Sequence, residues 1–301
     1  RGIRESIMFL APIFLAFAVT HVIVIVGGII GHLPDLPTTI EASTNGFREG
    51  LSTLGPWSLL LLFVYAYSLG GGTYTGIEAV SNGMQLMREP RVANAKRTML
   101  YTGVSLAVVA SGILMLYLLW QTTHVTGKTM NAVLIGQMTK DRFGGTVFLV
   151  VTLASEAALL VVASQGGFLA GPRVLANMAH DSWMPRRFAA LSERLTAHNG
   201  IILMGLASLI ALLYTRGDVS RLVIMYSINV FITFLLAILG MAKRSLEPKQ
   251  RKGPWKRSAA LFVGGSVLCG VILVITVLEK FTHGGWLTLV VTGALVTLCF
   301  V

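Results

Sequence analysis

Charged side chains are scarce: 24 Lys and Arg and 13 Asp and Glu are all that 301 residues provide. A water-soluble globule of this length cannot coat itself with so few. With 54% hydrophobic residues and a mean hydropathy of +0.74, the composition is that of an integral membrane protein. A cytosolic enzyme, a nucleic-acid binder and a disordered scaffold each need a surface richer in charge. The formal net charge of +11 is therefore read by position and not as a footprint for nucleic acid. Cysteine is almost missing: Cys269 and Cys299 both lie in apolar runs where any small hydrophobe would serve, which indicates neither a disulfide framework nor a metal site. The sequence also lacks HExxH, GxSxG, a phosphate-binding glycine loop ending in Lys, and any clustered set of His, Asp and Glu. These absences argue against an enzyme and imply no cofactor. There is no room for the soluble nucleotide domain of a pump, and no filter repeat or charged ring of a channel. The chain opens on Arg1, and its first apolar run is too long for a signal-peptide core, so it reads as trimmed from a longer protein.

What is abundant is apolar runs. A helix needs about 20 apolar residues to cross a bilayer, and eight such runs are present, at 6–31, 57–86, 99–121, 146–171, 200–215, 219–242, 258–279 and 285–301. The fifth is short and the eighth stops with the chain. None shows the period-two alternation of barrel strands, so all eight are expected to be helices. Assigning alternate loops to opposite sides places the N-terminus, 87–98, 172–199 and 243–257 together, with 17 of the 24 Lys and Arg. The positive-inside rule makes that side cytoplasmic, with both ends of the chain inside a plasma (inner) membrane. The run Lys249, Arg251, Lys252, Lys256 and Arg257 in the 243–257 loop is explained by topology alone, an anionic-lipid site being the alternative. The 172–199 loop is expected to carry a short amphipathic helix over 172–185, with Trp183 and two methionines against Arg173 and Asp181, lying along the interface.

The second run is interrupted. Gly70, Gly71 and Gly72, followed by Thr73, Tyr74, Thr75 and Gly76, break an otherwise good membrane helix, and each glycine lowers helix propensity by roughly 1 kcal/mol relative to Ala. Unwound backbone at membrane depth is tolerated only inside protein or along a polar cavity. There, half-helix ends and bare carbonyls bind substrates near the bilayer midplane. Gly70–Gly76 are thus candidate substrate-binding residues, with K⁺ possible at Thr73 and Thr75; close helix packing through small residues is the alternative. Glu78 and Glu156 are the two acids well inside the runs. An intramembrane carboxylate is a functional candidate by default, as a proton carrier or, for Glu78, as a cap on the second half-helix.

The motif Gly72-Thr-Tyr-Thr-Gly-Ile-Glu-Ala-Val-Ser-Asn-Gly83, with Arg88-Glu-Pro90 and Asn94-Ala-Lys-Arg97, resembles the sixth helix and following loop of amino acid-polyamine-organocation (APC) superfamily permeases. Tyr226-Ser-Ile-Asn-Val-Phe-Ile-Thr-Phe234 and Lys280-Phe-Thr-His-Gly-Gly-Trp286 are similar to stretches in the tenth to twelfth helices of bacterial members, including the KimA and Kup potassium-uptake branches. The resemblance covers nearly the whole chain. It implies an all-α integral membrane protein whose eight spans are helices five to twelve of a twelve-helix transporter with the five-plus-five inverted repeat of the sodium-coupled leucine transporter. The first four helices, partners in the substrate site, would be missing, and this polypeptide alone should not transport.

The resemblance also assigns roles. The unwound sixth helix would contact substrate through 70–76, and Ser164 and Gln165 match small polar residues that the eighth helix supplies to a coupling-ion position. For Ser164 a hydroxyl bonded back to its own helix is the alternative. Some proton-coupled relatives carry a lysine on the fifth helix in place of sodium; this first span has none, but has His21, a proton relay or a packing histidine. Tyr226, Ser227 and Asn229 form a polar cluster that either gates the cavity or hydrogen-bonds between helices. The implied activity is secondary active transport by alternating access, amino acid permease-like and coupled to H⁺ (or Na⁺), in the lipid bilayer. The alternative is K⁺ uptake, toward which the last two motifs pull while the superfamily at large pulls toward amino acids.

Overall fold

The computed structural model of the chain describes residues 3–70, 80, 84, 87–140, 142–190, 197–247 and 255–300. Its elements are α1 (Ile3–Gly31), a 3₁₀ turn (Leu33–Asp35), α2 (Leu36–Leu69), α3 (Arg91–Leu119), α4 (Met130–Thr139), α5 (Gly145–His180), a 3₁₀ turn (Arg186–Phe188), α6 (His198–Thr215), α7 (Val219–Leu246), α8 (Trp255–Lys280), a π turn (Phe281–Gly285) and α9 (Trp286–Phe300). Among the described residues there is no strand. Among the described residues seven helices are long and apolar enough to cross a membrane, and the expected eighth span is represented by the shorter apolar stretch Trp286–Thr297. Large hydrophobes point outward: Phe63, Leu160 and Leu278 are 71–72% exposed. Water would not tolerate so much apolar surface, whereas lipid does. The protein is a multi-pass membrane protein.

Two expectations are corrected. Residues 32–56 were expected to connect two spans, yet α2 starts at Leu36 and its first half is helical. This half is rich in hydroxyls that bond back to their own turns, including Thr39 to Asp35 O, Thr44 to Ile40 O and Thr53 to Glu49 O. A search for long apolar runs passes over such a helix. The helix is kinked at Gly55, where φ is +76° and ψ 165°. Only glycine takes this conformation without strain, and Pro56 then restarts the helix with its φ already set. The second correction concerns 172–185. No separate interfacial helix begins there, because α5 runs through Pro172 to His180. Pro172 removes one backbone donor, but α6 packs its backbone against the ring: a Cβ on Gly200 would lie 2.9 Å from Pro172 Cβ. Neighbouring helices make prolines tolerable in membrane helices.

The chain forms two compact units. Unit 1 comprises residues 1–53 and 76–170; unit 2 comprises 54–75 and 171–301. In unit 1, α1 and α3 meet through small residues. A Cβ on Gly28 would lie 2.7 Å from Leu116 Cδ2, and one on Gly112 would lie 2.9 Å from Ile25 Cγ2. Val24, Leu116, Leu119, Leu134 and Ile135 close the contact from α1, α3 and α4 into an apolar plug. In unit 2 the most extensive pairing joins α7 and α8, with Ile228, Phe231, Ile272 and Ala259 buried.

Candidate functional site

One turn of α1 below that plug, the sequence places His21 among apolar neighbours, and the fold supplies its partners. Its ring lies over Phe17, with centroids 3.9 Å apart, and Nδ1 stands 2.9 Å from the Phe17 carbonyl oxygen. Thr20 beside it donates to Ala16 O at 2.8 Å. The side chain is thus locked against its own helix, and His21 is buried, 3% exposed. Nε2 points across to α5, where Glu156 Oε1 lies 3.2 Å away.

The same oxygen accepts a 2.9 Å hydrogen bond from Asn131 Nδ2, and Asn131 Oδ1 accepts one of 2.6 Å from the Tyr117 hydroxyl. Four helices therefore meet in one polar chain, His21 (α1), Glu156 (α5), Asn131 (α4) and Tyr117 (α3), all within unit 1. Local sequence explains why Asn131 is available. The Thr129 hydroxyl caps α4 by accepting from Ala132 N at 3.2 Å, which starts the helix so that Asn131 falls in its first turn. Leu134 and Ile135, both fully buried, seat α4 on the plug, and Thr122 Oγ1 donates to Gln137 Oε1 at 3.1 Å as a second tie. Polar groups in a low-dielectric site strengthen one another only when every member is satisfied, and from the Tyr117 hydroxyl through Asn131 to the Glu156 carboxylate each donor meets an acceptor.

The structure thus brings together two of the residues the sequence singled out, His21 and Glu156. It adds two that sequence reading missed, Tyr117 and Asn131. The other candidates stand as follows. Gly70 lies just past the end of α2; Gly71, Gly72, Thr73, Tyr74, Thr75, Gly76 and Glu78 lie outside the described residues. Ser164 is exposed on α5 and donates to Val161 O at 2.7 Å, within its own helix, and Gln165 is exposed beside it. Both are in unit 1, some 12 Å along α5 from Glu156 at helical rise. In unit 2, Asn229 Oδ1 accepts from Thr292 Oγ1 at 2.8 Å, joining α7 to α9, and Tyr226 is half-buried one turn away.

Two further features had no sequence signal beyond a motif. The Lys280 ammonium is buried at the end of α8 without a hydrogen-bond partner among the described residues. A cavity of about 410 Å³ in unit 2 is lined by Tyr214, Asp218, Arg221, Thr282 and Trp286 among others. No group of three or more His, Cys, Asp or Glu side chains that could hold a metal occurs among the described residues.

Comparison with known families gives this arrangement a setting. The model of the amino acid permease family matches residues 1–300, the whole span of helices described above. The chain belongs to the amino acid permease family. Within that setting it is similar to the potassium transporter KimA of Bacillus subtilis (strain 168), with 31% identity over 282 residues. The match covers 93% of this chain and 44% of the relative, so the permease chain spans less than half the length of the curated protein it matches.

Proposed function

We propose that the protein carrying this permease chain is a secondary active transporter that takes up potassium in symport with protons. The substrate is argued from the 31% identity to a protein named as a potassium transporter, in line with the similarity of the Tyr226–Phe234 and Lys280–Trp286 stretches to the potassium-uptake branches. The coupling ion is argued from the single observation that carries the reading: a buried histidine and a half-buried glutamate 3.2 Å apart between apolar helices, with further polar partners on both sides. An intramembrane pair of this kind marks an ion or proton pathway, and histidine is the side chain whose charge changes near neutral pH. Potassium itself would bind at the carbonyls and hydroxyls of 70–76, together with helices outside this chain. A cytoplasmic position for both ends of the chain is supported by the 17-to-7 distribution of Lys and Arg.

The family's own description supports a second reading, an amino acid as substrate with its ammonium group at the same carbonyls. Uptake of rubidium, as a potassium tracer, and of a panel of labelled amino acids by the full-length protein in liposomes separates the two. The reading expects rubidium uptake that rises with an inward proton gradient and falls on Thr75→Ala. Amino-acid uptake indifferent to potassium would overturn it.

A further inference from the structure

A carbonyl oxygen can only accept, so the 2.9 Å contact with Phe17 O fixes a hydrogen on His21 Nδ1. A neutral imidazole has one N–H. With it turned to Phe17, Nε2 and an ionised Glu156 Oε1 would face each other lone pair to lone pair at 3.2 Å. One more hydrogen between them removes the conflict, as imidazolium against carboxylate or as neutral imidazole against carboxylic acid. Both forms have zero net charge, the state that burial favours. On the far side the count is already complete: Tyr117 donates to Asn131 Oδ1, which turns Asn131 Nδ2 toward Glu156 as a donor.

We propose that His21 and Glu156 form a proton-binding site that holds one exchangeable proton, with Asn131 and Tyr117 as positioning residues, and that the structure shows the site loaded. The proposal rests on the symport reading and names where the proton rides. Loading brings one proton to the pair and leaves it neutral. Release leaves a neutral imidazole and a carboxylate, net charge −1, and the ring must then give up either its bond to Phe17 or its place beside Glu156. The same charge change reaches α4 through Asn131. Apart from Tyr117, no other titratable group among the described residues of these helices stands near the pair. Arg4 and Glu5 on α1, Tyr101 and the basic residues before it on α3, and Arg173 and His180 on α5 are all 16 or more positions away, about 24 Å at helical rise. Helix α4 has no titratable side chain, and His32, His124, Lys128, Lys140 and Arg142 lie in the connections beyond the helix ends.

Glu156→Gln is the informative variant, because an amide keeps the shape of the carboxyl group but can neither take up nor release a proton. In the full-length protein in liposomes, this variant is expected to lose the dependence of rubidium uptake on a pH gradient. Gradient-driven uptake at the wild-type level in Glu156→Gln would overturn the proposal. Nitrogen-15 NMR of the wild-type protein in lipid, with His21 assigned by His21→Gln, supplies a test that does not depend on the variant folding. A protonated Nδ1 throughout the loaded range and an Nε2 signal that changes with pH support the site. A bare Nδ1 with protonated Nε2 at every pH contradicts it. Rubidium uptake by the wild type that ignores the proton gradient would instead remove the symport reading, while the NMR result would still judge the proton site.

Discussion

Gly28 shows how little freedom surrounds the polar chain in unit 1. A Cβ there would meet Leu116 at 2.7 Å and the Met138 methyl at 3.1 Å, so α1, α3 and α4 are all within reach of one missing side chain. Gly28→Leu should lower stability by about 1–3 kcal/mol, the usual cost of overpacking, and appear as a lower melting temperature of the purified protein; an unchanged melting temperature would mean that the helices separate there freely. The same intimacy limited what the sequence could disclose. His21 and Glu156 stood out because titratable residues are rare within apolar runs. Tyr117 and Asn131 did not, because a tyrosine near a span end and an asparagine just past a threonine are ordinary, and only the rotation of α3 and α4 about α1 gives them a common partner. Asn229 and Ser164 were legible as polar positions, but whether a hydroxyl or amide faces a neighbour or its own helix depends on contacts that no spacing records.

Among the elements, α4 is the one whose position depends most on side-chain chemistry. It is ten residues long, too short to be a stable helix by itself, and is held by the plug, by Gln137 to Thr122 and by Asn131 to the His21–Glu156 pair. Replacing Asn131 by Leu removes the last tie. Backbone hydrogen exchange in Met130–Thr139 should then rise above the wild-type level. Exchange that is unaltered in Asn131→Leu would detach α4 from the proton site. The long spans were plain from hydropathy alone, because lipid demands about 20 apolar residues wherever a helix crosses. The first half of α2 and the end of α5 escaped that criterion for opposite reasons: one is a helix without an apolar run, and the other continues through a proline that neighbouring backbone supports.

For the whole molecule, the orientation proposed from the uneven distribution of Lys and Arg is one that labelling can check. Single cysteines at Arg88 and Lys256 should react with a membrane-impermeant maleimide only from the cytoplasmic side, and one at Lys128 only from the opposite side; the reverse pattern would invert the assignment. The central claim concerns what moves with the cargo. A pH dye trapped in liposomes containing the full-length protein, with rubidium added outside and no proton gradient imposed, reads this directly. The account predicts that rubidium entry acidifies the lumen and that Glu156→Gln abolishes the acidification; rubidium entry without acidification in the wild type, or undiminished acidification in the variant, would contradict it.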